Sequence, residues 1–265
     1  MDAPRRTLAN AGHANSEHAA LLAALTRNVE AVRARVDAAA RACGRSDRPL
    51  LLAVTKSVGP RVAGALHELG QEDLAENRLQ ELERKCDALG TAARDAAAPR
   101  WHFVGHLQRN KARRALTLAS VVHSVDSLEL LGTLARVAAE EGLRRSVFLQ
   151  VKLADEENKG GLRPDELEAA LDAAGRATGL SLRGLMVMAP LVEGDGARTA
   201  AASVFAELAS LARLHGDRPW ETGRALLSMG MSDDLEEAVA AGSDVLRIGR
   251  ALFEGIDDTG RASVD

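Results

Sequence analysis

The chain has 265 residues, of which 46% are apolar and 27% charged, and its 34 basic and 38 acidic side chains give a formal net charge of -4. A chain of this length can bury a large core as one domain without disulfides. The slightly acidic balance disfavours a nucleic-acid partner, which needs a basic surface. No run approaches the ~18 apolar residues of a membrane span, and no apolar secretory segment follows Met1, so we expect a cytoplasmic protein without a membrane partner.

The N-terminal part of the chain changes character near Ser16. Residues 1–16 are small and polar without periodicity and are expected to form a disordered, flexible tail. From there to about Gly44, apolar residues recur at helical spacing, which predicts an extra N-terminal helix before the first strand. We expect one folded unit over residues 17–257 and a short C-terminal tail over residues 258–265.

Short apolar runs then alternate with longer amphipathic segments. The predicted strands cover residues 50–56, 73–76, 100–105, 120–124, 147–153, 182–188, 225–229 and 244–248. The predicted helices cover residues 61–69, 77–89, 108–119, 127–141, 164–178, 194–215 and 232–241. Strict alternation implies parallel strands with right-handed crossovers, and eight such units favour a closed (β/α)8 TIM barrel. A doubly wound open sheet is the alternative, but the first βα turn lacks the G-x-G-x-x-G pattern.

Lys56 ends the first strand, where barrels of this kind place their chemistry. A lysine amine that is desolvated or close to other cations becomes a nucleophile and condenses with aldehydes. The alternative is a solvated lysine at the rim, or one paired with a carboxylate.

The loops after strands seven and eight predict a phosphate site. Gly230 and Gly249 allow the backbone to approach an anion, and Ser228 and Ser232 add hydroxyl donors. Free N–H groups and the positive end of a following helix converge at such loops. The alternative is that Ser232 only caps its helix and the glycines only turn the chain.

Arg247 ends the last strand among apolar neighbours, so its guanidinium is predicted to point to the barrel mouth. A guanidinium beside a pyridine nitrogen donates a hydrogen bond and leaves that nitrogen unprotonated. A salt bridge at the rim is the alternative. His106 and His123 are candidate proton carriers, although histidines at strand ends more often hydrogen-bond a neighbouring loop.

Seven motifs together resemble one family, the pyridoxal phosphate homeostasis proteins, over roughly residues 50–255. They are AVTK (53–56), ENRLQE (76–81), WHFVGHLQRNK (101–111), HSVDS (123–127), GLM (184–186), LSMGMSDD (227–234) and VLRIG (245–249). That family is similar to the barrel domain of alanine racemase and lacks the second, all-β domain of that enzyme.

The resemblance implies that Lys56 forms the internal aldimine with pyridoxal 5′-phosphate and that Arg247 faces the pyridine nitrogen. It further implies a phosphate cradle made of Ser228, Met229, Gly230, Met231, Ser232, Gly249 and Arg250. Asn77 belongs to a motif at the mouth of the cofactor site. The sequence departs from the family pattern at Arg250, which replaces a Ser or Thr, and at Ala75, which replaces a Gly.

Three functions are compatible with these residues. The first is a protein that holds pyridoxal phosphate and buffers or delivers it to apoenzymes with little turnover of its own. The second is an amino-acid racemase, which needs a second base; in the alanine racemase family that base is a tyrosine from the other domain, and this chain has no tyrosine. The third is a Schiff-base aldolase acting on a phosphosugar. We expect the first function, no metal, and a monomer.

Overall fold

The computed structural model describes residues 3–92, 95–154, 160–190, 194, 196–257 and 260, with side chains from residue 15 onward. Its strands form a closed parallel barrel in the order β1 to β8. The strands are β1 Leu50–Val54, β2 Asp73–Glu76, β3 Arg100–Phe103, β4 Val121–Val125, β5 Arg145–Gln150, β6 Leu180–Met186, β7 Leu226–Ser228 and β8 Val245–Ile248. The helices are α1 Ala3–Ala42, α2 Pro60–Glu68, α3 Leu79–Leu89, α4 Ala112–Leu118, α5 Leu128–Glu140, α6 Leu167–Arg176, α7 Gly196–Leu214 and α8 Leu235–Ala240.

The predicted (β/α)8 barrel with an extra N-terminal helix is confirmed. Each predicted strand overlaps an observed one, and the open-sheet alternative is excluded by the pairing of β8 with β1. Helix α1 begins at Ala3, well before Ser16, where the apolar periodicity starts. Alanine and leucine in residues 3–15 favour helix without an apolar stripe, which explains why periodicity alone misses this part. The division into a barrel and two tails stays a prediction, and residues 1–2, 258–259 and 261–265 lie outside the described residues.

The strands separate two apolar layers. Ala53, Trp101 and Phe103 belong to the outer core between the strands and the helices. The smaller inner cluster fills the barrel and consists of Leu52, Val54, Ala75, Val121, Phe148, Met186 and Val245. Because side chains alternate between the two faces of a strand, Lys56 shares the inward face of Leu52 and Val54 and stands at the barrel mouth. No helix among the described residues is long and apolar enough to cross a bilayer.

Helix α1 packs against α2, α8 and the 3-10 turn Arg250–Leu252, beside the seam between β8 and β1. Its buried stripe consists of Leu21, Leu25, Val29, Val32 and Val36. Polar side chains of the same helix hold two loops at the carboxyl end of the barrel. Asn28 donates to the carbonyls of Leu252 and Glu254 at 3.1 and 3.0 Å, and Arg35 donates to the carbonyl of Ser232 at 3.0 Å. The extra helix therefore buttresses the loops that follow β7 and β8.

Candidate functional site

A cavity of about 660 Å³ opens at the carboxyl ends of the strands. Seven of the predicted site residues line it: Lys56, Asn77, Met231, Ser232, Arg247, Gly249 and Arg250. Clefts of this size at this face of an (β/α)8 barrel are the usual place for a small ligand. The structure thus brings residues from both ends of the chain to one site.

Lys56 reaches this cavity as an exposed side chain just beyond β1. Its amine makes no hydrogen bond or ion pair within the described part of the chain. The preceding residue is fixed firmly, because the Thr55 N–H donates to the carbonyl of Ala75 at 2.9 Å. An unpaired amine on a rigid strand end is the arrangement that a covalent ligand needs.

A buried ion pair lies beneath Lys56. Lys85 of α3 and Glu76 of β2 are both fully buried and paired, and Lys85 Nζ also donates to the carbonyl of Thr55 at 2.7 Å. The same carboxylate accepts the Thr55 hydroxyl at 2.8 Å and the Asn77 N–H at 3.2 Å. Lys85 therefore ties the end of β1 to the end of β2.

The sequence analysis missed Lys85. The available signal is its position on the apolar stripe of α3, beside Leu82 and Cys86, where a lysine needs a partner.

The backbone after β3 also lies very close to the end of β2: a Cβ on Gly105 would lie 1.9 Å from the carbonyl oxygen of Asn77. Only glycine allows this approach at the mouth.

The loops after β7 and β8 form part of the cavity wall. The Ser232 hydroxyl accepts the Ala251 N–H at 3.3 Å and so links the two loops. The N–H groups of Ser232, Gly249 and Arg250 donate to no acceptor among the described residues. Free N–H groups converging on a cavity favour a phosphate or carboxylate.

Three predicted cradle residues lie behind the cavity wall. Met229 is fully buried in the outer core, and Ser228 is buried and hydrogen-bonded inside the barrel. Gly230 has φ +94°, and a Cβ there would lie 2.4 Å from the Cβ of Ala238. These residues shape the β7 loop, and direct contact of any of them with a ligand stays a prediction.

Arg247 crosses from β8 to the cavity with most of its surface buried. Its Nη1 donates to the carbonyl and hydroxyl oxygens of Ser228 at 2.6 and 2.9 Å, and its Nη2 donates to the carbonyl of Val187 at 2.9 Å. Burial lowers the pKa of Arg247 to about 10, with a partial opposing effect from Asp234. The guanidinium therefore stays charged at neutral pH, and two of its five N–H groups have no acceptor among the described residues.

Arg250 pairs with an acidic neighbour across the two loops. Its guanidinium donates to Asp233 at 2.5 Å, and both side chains are about three quarters exposed. The charge of Arg250 is therefore neutralised by a carboxylate at the rim.

The candidate histidines separate into two groups. His106 is 72% exposed at the mouth and hydrogen-bonds Asp126 at 3.1 Å, whereas His102 and His123 are fully buried inside the barrel. His106 and Asp126 both line the cavity.

Arg198 of α7 is a further lining residue, and it pairs with Glu237. The sequence analysis missed it because it lies in an ordinary amphipathic helix.

The sequence is similar to those of known proteins. Residues 22–256 match the family model described as "Alanine racemase, N-terminal domain". The chain is 42% identical over 230 residues to the "Pyridoxal phosphate homeostasis protein" of Deinococcus radiodurans, with 85% of this chain and 99% of the relative covered. It is 37% identical over 238 residues to the protein of the same name from Pseudomonas aeruginosa, with 89% and 97% covered.

Solved structures agree with these sequence matches. PipY of Synechococcus elongatus, solved with PLP bound, superposes with a TM-score of 0.71 at 31% identity, and 86% of this chain and 99% of PipY are covered. Alanine racemase from Corynebacterium glutamicum superposes with a TM-score of 0.63 at 18% identity, covering 92% of this chain and 64% of the racemase. At that identity the likeness concerns the fold alone.

Proposed function

Because the chain belongs to the family of pyridoxal phosphate homeostasis proteins, we propose that it binds pyridoxal 5′-phosphate and keeps the cofactor available to apoenzymes, with little turnover of its own. The observation that carries this proposal is the placement of an unpaired Lys56 amine in the same cavity as two loops with free N–H groups and a charged Arg247. An aldehyde, a phosphate and a ring nitrogen are the three groups that such residues recognise.

The residues present fit this cofactor. Lys56 would hold it covalently through Nζ, with loss of water from the aldehyde and the amine. The free N–H groups of Ser232, Gly249 and Arg250 would hold the phosphate. The remaining N–H groups of Arg247 would meet the ring nitrogen. Asn77, which also lines the cavity, would border the ring.

The charge state of Arg247 supports a carrier more than an enzyme. When bound, pyridoxal phosphate supplies an electron sink, and that sink is strongest when the ring nitrogen is protonated. Arg247 can only donate, since its pKa of about 10 keeps the guanidinium charged at neutral pH. This chain's own residues would therefore bind and orient the cofactor while keeping its nitrogen unprotonated, which disfavours racemase turnover.

The racemase alternative also lacks the tyrosine that would serve as the second base. Racemisation needs an acid or base on each face of the substrate. The chain contains no tyrosine, the residue that fills this role in alanine racemase. His106 and Asp126 at the mouth are the nearest substitutes. A monomeric state, a cytoplasmic location and delivery to apoenzymes belong to the same proposal.

Absorbance titration with pyridoxal phosphate, followed by borohydride reduction and peptide mapping, tests the proposal. The chain has only five lysines, at positions 56, 85, 111, 152 and 159, so the label is assigned without ambiguity. We expect an imine band and a label on Lys56. Lys56→Ala should abolish both while the protein stays folded, and Lys111→Ala serves as the matched control that keeps both. A label spread over several lysines, or no band, would refute the proposal.

A further inference from the structure

A chain of hydrogen bonds runs through the barrel interior from its amino end to the cavity. We call it the interior chain; its members are Asp73, His102, His123, Ser228 and Arg247. Each comes from a different strand, namely β2, β3, β4, β7 and β8. The successive distances are 2.9 Å from Asp73 Oδ1 to His102 Nε2, 2.8 Å from His102 Nδ1 to His123 Nε2, 2.8 Å from His123 Nδ1 to Ser228 Oγ, and 2.9 Å from Ser228 Oγ to Arg247 Nη1.

The two ends of the interior chain fix its direction. Asp73 is held by Arg100, whose Nε and Nη2 donate to its two oxygens at 2.5 and 2.8 Å. Burial opposes ionisation of Asp73, but the hydrogen bonds from Arg100 and His102 outweigh it and hold the pKa of this carboxyl well below its usual range. An ionised carboxylate can only accept, and Arg247 can only donate. When both histidines are uncharged, each intermediate group has one arrangement that satisfies all four contacts.

That arrangement places a proton on Nε2 of both histidines. His102 Nε2–H donates to Asp73, and His123 Nε2–H donates to Nδ1 of His102. Nδ1 of His123 then accepts the Ser228 hydroxyl, which leaves the lone pairs of that oxygen for Arg247. The reversed arrangement would place the proton of His102 on Nδ1 and leave no proton between His102 Nε2 and the ionised Asp73, so that contact would be lost.

Burial favours the uncharged form of both histidines. Burial lowers the pKa of His102 and outweighs the opposing effect of Asp73. Burial lowers the pKa of His123 more strongly, and the positive charge of Arg247 lowers it further. The ring of Phe148 stacks on His123 with centroids 4.4 Å apart. In neutral rings held by packing, the tautomer of His102 fixes the tautomer of His123. The interior chain does not conduct protons, because the guanidinium of Arg247 at its end does not release one.

We propose that Asp73, at the far end of the interior chain from the cavity, sets the direction of every hydrogen bond in it and is thereby a positioning residue for Arg247. It touches no ligand and acts only through the two histidines and Ser228. The consequence for cofactor binding rests on the function proposed above, but the tautomers themselves are a property of the protein alone.

Nitrogen-15 NMR of the histidine rings in the cofactor-free protein tests this directly. We expect protonated Nε2 and unprotonated Nδ1 at both His102 and His123. In Asp73→Ala the released Arg100 can donate to His102 Nε2, so both tautomers should reverse, including that of His123, which does not touch residue 73. The matched control is Glu72→Ala: Glu72 lies 3.7 Å from the same Arg100, is 75% exposed, and should leave both tautomers unchanged.

A substitution at the cavity end of the interior chain shows which end determines the histidine tautomers. Ser228→Ala should leave the Nε2–H tautomer on both histidines, because Asp73 still accepts. The wild-type spectrum and Ser228→Ala keep the proposal testable if Asp73→Ala does not fold. Protonated Nδ1 in the wild type, an unchanged His123 in Asp73→Ala, or reversal of His102 in Ser228→Ala would each overturn it.

The cofactor supplies a second readout. Asp73→Ala should raise the dissociation constant for pyridoxal phosphate by about fivefold, the effect of weakening one buried hydrogen bond to Arg247, whereas Glu72→Ala should leave it unchanged. Reversed tautomers with unaltered affinity would overturn the positioning role. If the wild type itself does not bind pyridoxal phosphate, the proposed function fails while the tautomer result still stands.

Discussion

Replacing Lys85 by methionine should destabilise the protein by about 3 kcal/mol, the lower end of the loss expected when one member of a buried ion pair is removed. Lys85 and Glu76 are both fully buried, so the substitution leaves a carboxylate without its cation. Two donors remain to that carboxylate, the Thr55 hydroxyl at 2.8 Å and the Asn77 N–H at 3.2 Å, which is why we expect the lower value. Methionine matches the length of the lysine stem, so little cavity forms.

A double-mutant cycle separates the charge effect from packing. Glu76→Gln combined with Lys85→Met removes both charges and should recover most of the loss, to within about 1 kcal/mol of the wild type. Urea unfolding gives the free energies, with an unchanged slope required for the comparison. Lys111→Met controls for loss of a lysine at the surface and should change stability by less than about 0.5 kcal/mol. Equal losses in Lys85→Met and the double variant would refute the reasoning, because they would show that packing and not the unpaired charge is responsible.

Two further predictions concern the loops after β7 and β8. Gly230→Ala should cost about 2–5 kcal/mol, from its φ of +94° and the 2.4 Å approach to Ala238, whereas Gly223→Ala, with φ +79° and open space, should cost about 1–2 kcal/mol in the same urea assay. Equal losses would mean that Ala238 moves aside. Arg250→Ala should weaken pyridoxal phosphate binding by up to about fivefold because it exposes the charge of Asp233 to the phosphate, and Asp233→Asn should strengthen it by a similar factor. Unchanged dissociation constants in both variants would assign phosphate binding to the backbone N–H groups alone.

The sequence by itself determines the architecture of this protein. Strict alternation of short apolar runs with amphipathic segments predicts parallel strands joined by helices, and eight such units favour a barrel over an open sheet. The same pattern puts Lys56, Arg247 and the residue 228–232 loop at strand ends, which all face one side in such a barrel. The period of two along β3 even separates the inward His102 from the outward Trp101 and Phe103. These are consequences of local pattern and need no knowledge of partners.

Partners across the barrel are decided only by the tertiary structure. Asp73 and Arg247 belong to one series of hydrogen bonds because closure of β8 onto β1 and the stagger of the strands bring five inward side chains next to one another. The spacing of these residues in the amino-acid sequence does not encode that stagger. Lys85 reads in sequence as one basic residue of an amphipathic helix, yet the packing of α3 buries it against Glu76. Arg250 occupies a cradle position by motif but meets Asp233 because the two loops converge at the rim. The physical reason is the same in each case: the period of a strand or helix fixes which face a side chain takes, whereas register and closure fix which side chain it meets.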